Sequence, residues 1–320
     1  MIDDESDDEL TRECAADAAR ELIAAGWLRR VVLGSDEERL FSDCDLASFA
    51  ENRLGISADP RALDDAHRAE LGARATDDPI VPPGRRLDPC FWVLVPQWRE
   101  PLERVSVGTI SIGEPLAGSR WARVASLYIF PELRGRGMAT GILTALRAAL
   151  ATRRIGLRLD TEWCWRDTLT FYLHAGMWVR GWKHAISLAW TPAVHVPRIQ
   201  IEKSWASLSV VLDGALHPLL RAERVGDRLQ LHDEPCPEAL RALRLDASST
   251  LAVALALRGW PLIRSAELWE RCRGSDAQHP EALAWRISMF EAWSRHRGWR
   301  VETPRIPGLK YPTWLQLQKH

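Results

Sequence analysis

In this 320-residue chain, the stretch Leu127-Tyr128-Ile129-Phe130-Pro131-Glu132-Leu133-Arg134-Gly135-Arg136-Gly137-Met138-Ala139 has the means to hold an anion. An apolar run stops at a proline, two glycines follow, and Met138, Ile142, Leu143, Leu146, Ala149 and Leu150 then recur at helical spacing. That order reads as strand, turn and helix. Glycine lets main-chain N–H groups approach a ligand with no Cβ in the way. The first N–H groups of a helix lack partners inside it and carry the positive end of its dipole, so a pyrophosphate is a suitable occupant. The Lys-Ser/Thr pair of a P-loop is missing here, which speaks against nucleoside triphosphate chemistry. Gly135 and Gly137 taken alone are equally consistent with a tight turn before a helix.

The elements around the turn decide what it can do. Phe91–Val95, Val105–Ile112 and Val124–Phe130 read as strands, with a turn at Glu114–Gly118. A helix from Gly137, a strand Leu157–Asp160, a helix carrying Leu169, Tyr172 and Leu173 with Gly176 as its cap, and strands Trp178–Trp182 and Ala185–Trp190 follow. Upstream, residues 9–78 read as helical, with Gly26 ending a first helix; downstream, Leu208–Leu212 and Arg228–His232 alternate like strands. Ser249–Arg258, Leu262–Arg273 and Pro280–Arg297 read as helices. The proline-rich segment Asp77–Gly84 and the prolines Pro192 and Pro197 mark two boundaries. The expected fold class is α/β with a mixed (α+β) sheet. It has three parts: an acidic, mainly helical segment 1–80, a domain over 85–192, and a separate, mostly helical α+β domain over 198–320 with no assigned role.

In residues 87–190 the sequence resembles the GNAT N-acetyltransferase family. Arg134, Gly137 and Ala139 fill the fixed places of that family's Arg/Gln-x-x-Gly-x-Gly/Ala signature. Phe171, Tyr172 and Gly176 match its downstream Phe-Tyr-x-x-x-Gly-Phe pattern, with Met177 in the last place. The sequence departs from the family at Trp165, where Asn is common, and at Thr168, where Ala is common.

The resemblance implies acetyl-CoA as acyl donor and two parallel strands, Val124–Phe130 and Leu157–Trp163, that splay apart around its pantetheine. The N–H groups of Arg134, Gly135, Arg136, Gly137, Met138 and Ala139 would take the pyrophosphate. The backbone of Leu127, Tyr128 and Ile129 would hold the thioester carbonyl and its developing oxyanion. An amine, carried by a small molecule or a protein, would then attack directly in a ternary complex. Tyr172 would act as general acid to the departing thiolate, being protonated at neutral pH, or else be a core tyrosine. Asp160 and Glu162 are the candidate general bases, or else solvated carboxylates at a strand end.

Composition narrows the classes. Hydrophobic residues make up 46% of the chain, enough to build cores. No apolar run approaches the ~18 residues that cross a bilayer, and the acidic start (Asp3, Asp4, Glu5) has the wrong charge for a signal peptide. A soluble, cytoplasmic protein is expected. The six cysteines lie far apart and the nine histidines form no ligand set, so no metal is expected. The net charge of -1 hides an asymmetry: residues 1–80 hold 21 acidic and 9 basic residues, and the remaining 33 bases and 22 acids leave the body at +11. A basic body attracts polyanions, so a nucleic-acid-directed acyltransferase or DNA-binding regulator competes with the enzyme reading, although the acidic segment disfavours it. A non-catalytic GNAT fold that binds CoA or a partner is the other alternative, motivated by Trp165 and Met177.

Overall fold

The computed structural model describes residues 17–32, 34–51, 56–76, 91–96, 106–113, 120–161, 166–182, 186–192, 196–226, 228–258 and 260. It divides into two compact units, one built chiefly on residues up to 159 and the other chiefly on residues 160 to 311. The sequence expectations for residues 1–16, the linker at 77–84, the turn at 114–118, Glu162 to Trp165 and the helices at 262–273 and 280–297 lie outside the described residues.

In the first unit, residues 17–24 are helical. Gly26, at φ +77°, ends that helix as the sequence predicts. The Trp27 N–H bonds the Leu22 carbonyl at 2.9 Å and the Gly26 N–H bonds that of Ile23 at 3.0 Å, a glycine-capped helix end. Strand β1 (Arg29–Arg30) leads to helix α1 (Asp36–Phe49) and helix α2 (Asp65–Thr76). The Ser35 side chain caps α1 by accepting from the Glu37 N–H, and Asp36, Glu37 and Glu38 suit the dipole of its first turn. Both Asp43 carboxylate oxygens, almost fully buried on α1, accept from Arg68 on α2 at 2.8 and 2.9 Å, which fixes the two helices to each other.

Strands β2 (Phe91–Pro96), β3 (Ser106–Gly113), β4 (Trp121–Ile129) and β5 (Gly156–Thr161) extend the sheet in the order β1-β2-β3-β4-β5. The first four are antiparallel and β4 runs parallel to β5, so the sheet is mixed, as expected. The parallel pair needs a crossover, supplied by helix α3 (Met138–Ala151). Ile142, Leu143, Leu146 and Leu150 are buried on its apolar stripe, each contributing about 1.5–3 kcal/mol. The opposite side of the core is where α1 meets β4: Cys44 and Ala47 pack with Tyr128 and Phe130, joined by Leu40, Ala58 and Leu133.

The second unit contains helix α4 (Arg166–His174), the hairpin of β6 (Trp178–Trp182) and β7 (Ile186–Trp190), and a four-stranded antiparallel sheet in the order β11-β10-β9-β8. Its strands are β8 (Pro197–Ile201), β9 (Trp205–Leu212), β10 (Ala215–Val225) and β11 (Arg228–Asp233). Two short helices' worth of chain follow as α5 (Glu238–Arg241) and the longer α6 (Arg244–Leu257). The sequence reading marks only β9 and β11. Proline at 197, and Pro218 beside the register shift in β10, obscure the other two strands.

Helix α6 is fastened to β6 by a polar bond inside an apolar setting. The Val179 N–H donates to the Thr250 hydroxyl at 2.9 Å, and both residues are fully buried. Thr250→Val keeps the shape and deletes the acceptor, leaving a buried N–H unsatisfied. Equilibrium chemical denaturation should show a loss of about 1–3 kcal/mol with an unchanged denaturant slope.

Candidate functional site

The sheet opens at one residue. In the β3–β4 ladder, Ser111 faces Ser126 but Ile112 faces Val124, so Ala125 is an extra residue bulged out of β4. A bulge bends its strand and increases its twist. The β4–β5 ladder runs from Trp121↔Gly156 to Val124↔Leu159 and ends there, while β4 continues to Ile129. From Ala125 onward β4 stays bonded to β3 on one edge, and among the described residues no strand pairs its other edge.

Successive residues of a strand turn their N–H and C=O groups to opposite edges. The Phe130 N–H bonds the Val107 carbonyl at 3.0 Å, so the N–H groups of Ile129 and Leu127 point toward the open edge. The Ile129 carbonyl is engaged on that edge by Arg134 Nε at 2.9 Å. Gly108 allows β3 to come this close: a Cβ there would stand 2.0 Å from the Tyr128 oxygen.

The turn beyond β4 is held on both sides. Pro131–Leu133 forms a single 3-10 turn, and Gly135 and Gly137 follow with φ of +74° and +78°. A Cβ at either glycine would meet nothing within 4 Å, so these two glycines serve backbone conformation and open space rather than packing. Arg134, Gly135, Arg136 and Gly137 are exposed, and Met138 and Ala139 are half-buried. Gly137 caps α3, whose first internal bond is Gly141 N–H to the Gly137 carbonyl at 2.9 Å. The N–H groups of Gly137, Met138, Ala139 and Thr140 are therefore the helix's unpaired donors.

Arg134 locks this turn to β4 and to the end of α1. Its guanidinium bonds Glu51 at 2.8 Å and lies 5.1 Å from the Tyr128 ring centroid, and the Tyr128 hydroxyl donates to the same carboxylate at 3.1 Å. Burial, then the Glu51 charge, push the Tyr128 phenol above its usual range. A second clamp lies nearby: Arg61 bonds Glu132 at 2.6 Å and Asp59 at 2.9 Å and covers the Phe130 ring. Glu51 and Arg61 are missed from the sequence. Their types are ordinary for a solvated helix or loop, and only tertiary packing brings them to the turn.

Tyr172 lies on α4, buried beside Leu169 and Leu173, with Phe171 5.1 Å away between ring centroids. Burial raises its phenol above the ordinary value, which keeps the proton on oxygen at any physiological pH. Gly176 ends α4 at φ +79°, as the sequence predicts. Asp160 is exposed on β5, and Glu162 lies outside the described residues. The structure thus brings Leu127, Tyr128, Ile129 and Arg134 to Ala139 together in the first unit, while Asp160 and Tyr172 belong to the second.

One further titratable group stands on the α1 face of the sheet. Asp45 is half-buried on α1 beside the Ser126 hydroxyl. Burial pushes its carboxyl from 3.8 up to about 7, with Ser126 pulling weakly the other way. The folded protein then holds a proton that the unfolded chain releases between about pH 4 and pH 7. Stability should fall as pH rises through that window and level off above it. Denaturation midpoints of Asp45→Asn across the same range should lack this slope. The adjacent Cys44 thiol is pushed up to about 12 by burial, which makes it inert as a nucleophile at neutral pH.

Among the described residues, no group of three or more His, Cys, Asp or Glu side chains gathers to hold a metal ion. Nor is any helix among them long and apolar enough to cross a membrane.

No family model and no curated protein matches the sequence. Solved structures do match over about half of it. A PaiA N-acetyltransferase from Thermoplasma acidophilum, in complex with coenzyme A, is 13% identical over 51% of this chain and 97% of its own, with a TM-score of 0.33. A GNAT-family acetyltransferase from Staphylococcus aureus is 14% identical over 52% and 98%, also at 0.33. A phosphinothricin acetyltransferase from Sinorhizobium meliloti, in complex with AcCoA, is 15% identical over 51% and 86%, at 0.31. The fold is similar to that of GNAT acetyltransferases. At these TM-scores the likeness carries no argument about chemistry, which rests on the bulge, the open edge of β4 and the glycine turn.

Proposed function

We propose that the chain is an N-acyltransferase, moving an acetyl group from acetyl-CoA to an amine by direct attack in a ternary complex, with residues 85–192 as its acyl-CoA-binding domain. The observation that carries this reading is the open edge of β4 running from Ala125 to a solvent-facing turn at Arg134–Gly137. A long thioester with a diphosphate at one end needs both features in series. The N–H groups of residues 134–139 take the diphosphate, the pantetheine lies along β4, and the N–H groups of Leu127 and Ile129 receive the thioester carbonyl. Their hydrogen bonds strengthen as charge develops on that oxygen in the transition state.

Tyr172 is assigned as the acid that protonates the departing thiolate. The phenol holds its proton at neutral pH and gives it up as charge develops on sulfur, a transfer that burial, by raising its pKa, makes less favourable. Asp160 and Glu162 are assigned to the acceptor side, where either carboxylate would take a proton from the incoming ammonium.

Two measurements test this. Calorimetric titration with acetyl-CoA should show saturable binding, and absence of binding rejects the proposal. Tyr172→Phe should cut the rate of thiol release about 10²–10⁴-fold while acetyl-CoA affinity stays within about threefold. A matching loss of affinity would instead make Tyr172 a structural residue. CoA binding without thiol release across small amines and lysine peptides would favour the non-catalytic alternative.

A further inference from the structure

On the face of the sheet covered by α1, β3 and β4 present hydroxyls where apolar side chains would be ordinary. Ser111 and Ser126 are register partners, and so are the next pair on the same face, Thr109 and Tyr128. Thr109 and Ser111 are fully buried. The hydroxyl oxygens of Thr109, Ser111 and Ser126 are all cut off from solvent and make no hydrogen bond of full geometry. A buried hydroxyl left without a partner costs about 1–3 kcal/mol; Thr109 stands beside the Cys44 thiol and Ser126 beside Asp45, which leaves Ser111 as the hydroxyl that the described residues do not satisfy. Asp45 reaches this face from α1, beside Ser126. Ser126 in turn directly precedes Leu127 and follows the Ala125 bulge, where β5 leaves β4.

The chemistry of the lining selects its occupant. A carboxylate and hydroxyl oxygens are acceptors, and a primary ammonium offers three N–H donors and no acceptor. Among the described residues no cation acts on Asp45. Asp43, on the same helix, is paired with Arg68, and the group beside Asp45 is the Ser126 hydroxyl, whose register partner on β3 is Ser111. We infer that Asp45, with Ser126 and Ser111, seats the ammonium of a primary-amine acceptor and takes its proton.

This rests on the acyl-transfer reading and makes Asp45, in place of Asp160 or Glu162, the carboxylate that takes the ammonium proton. The Asp45 carboxylate removes one N–H proton, and the freed lone pair forms the N–C bond at the thioester carbonyl, one residue along β4. The C–S bond breaks with its electron pair on sulfur. The second nitrogen proton leaves as the amide forms, the thiolate is protonated to the thiol, and Asp45 returns its proton to water. The net release is one proton per turnover.

The test follows the Asp45 carboxyl carbon by NMR in aspartate-labelled full-length protein, with and without saturating CoA, as pH is raised from 4 to 9. Its signal is assigned by its disappearance in Asp45→Asn, or in Asp45→Ser should the first variant not fold. Adding n-propylammonium should lower the titration midpoint by about 1–3 units, and tetramethylammonium, with no N–H donor, should leave it in place. An unmoved midpoint, or equal movement by both cations, overturns the assignment. Failure to bind CoA rejects the enzyme reading separately, because the midpoint is also read in its absence.

Discussion

Gly108→Ala should be the most damaging single-methyl change in the first unit, reducing stability by about 3–5 kcal/mol or abolishing folding. An ideal Cβ at this position stands 2.0 Å from the Tyr128 carbonyl oxygen, 2.9 Å from the Ile129 Cα and 3.0 Å from the Tyr128 carbonyl carbon. All three atoms are main chain, so no side-chain rotation relieves the overlap. Strand β3 must move from β4 by more than an ångström, which breaks the ladder between Gly108–Ser111 and Ser126–Ile129. That ladder holds β4 on one edge while its other edge stays open, so the N–H groups assigned to the thioester carbonyl move with it. Denaturation against urea measures the first consequence, and loss of acetyl-CoA binding in any folded fraction measures the second. A variant with an unchanged midpoint would mean that β3 and β4 sit farther apart than the structure places them.

The sequence makes Gly135 and Gly137 visible because a strand, a proline and an amphipathic helix bracket them. It hides the significance of Gly108, which stands among Val107, Thr109 and Ile110 and resembles any small residue in a strand. The strands and helices between residues 91 and 190 are legible for a physical reason: apolar runs there are short, and glycine or proline separates them. The start of β4 is less so. Trp121–Arg123 belong to the strand, but Arg120 and Arg123 interrupt the apolar pattern on which the predicted start at Val124 depends. The bulge at Ala125 leaves no compositional trace, since any residue can occupy it, yet it decides where the sheet opens. Asp45 and Glu51 read as solvated helix positions because helical periodicity identifies only the apolar stripe. A polar group buried against polar strand residues is invisible until register aligns Ser126 with Ser111 and α1 is laid across them.

Gly137→Val separates the function of the turn from its stability. The residue sits at φ +78° and ψ +4°, a left-handed conformation that costs an L-residue about 1–2 kcal/mol and a β-branched one more. Nothing within 4 Å opposes the new side chain, so the folded protein should survive with a modest loss of stability. The open space at Gly137 is, however, the space assigned to the diphosphate, and the valine methyls would stand before the N–H groups of Met138 and Ala139. Acetyl-CoA affinity should fall about 100-fold or more, equivalent to about 2.7 kcal/mol. Gly137→Ala, with a smaller side chain and similar backbone strain, should fall between the two. Calorimetry on both variants, set beside their denaturation curves, distinguishes the causes. An affinity loss that tracks only the stability loss would make the turn a scaffold. A loss far exceeding it would show that the unpaired N–H groups at the start of α3 face the cofactor's phosphates.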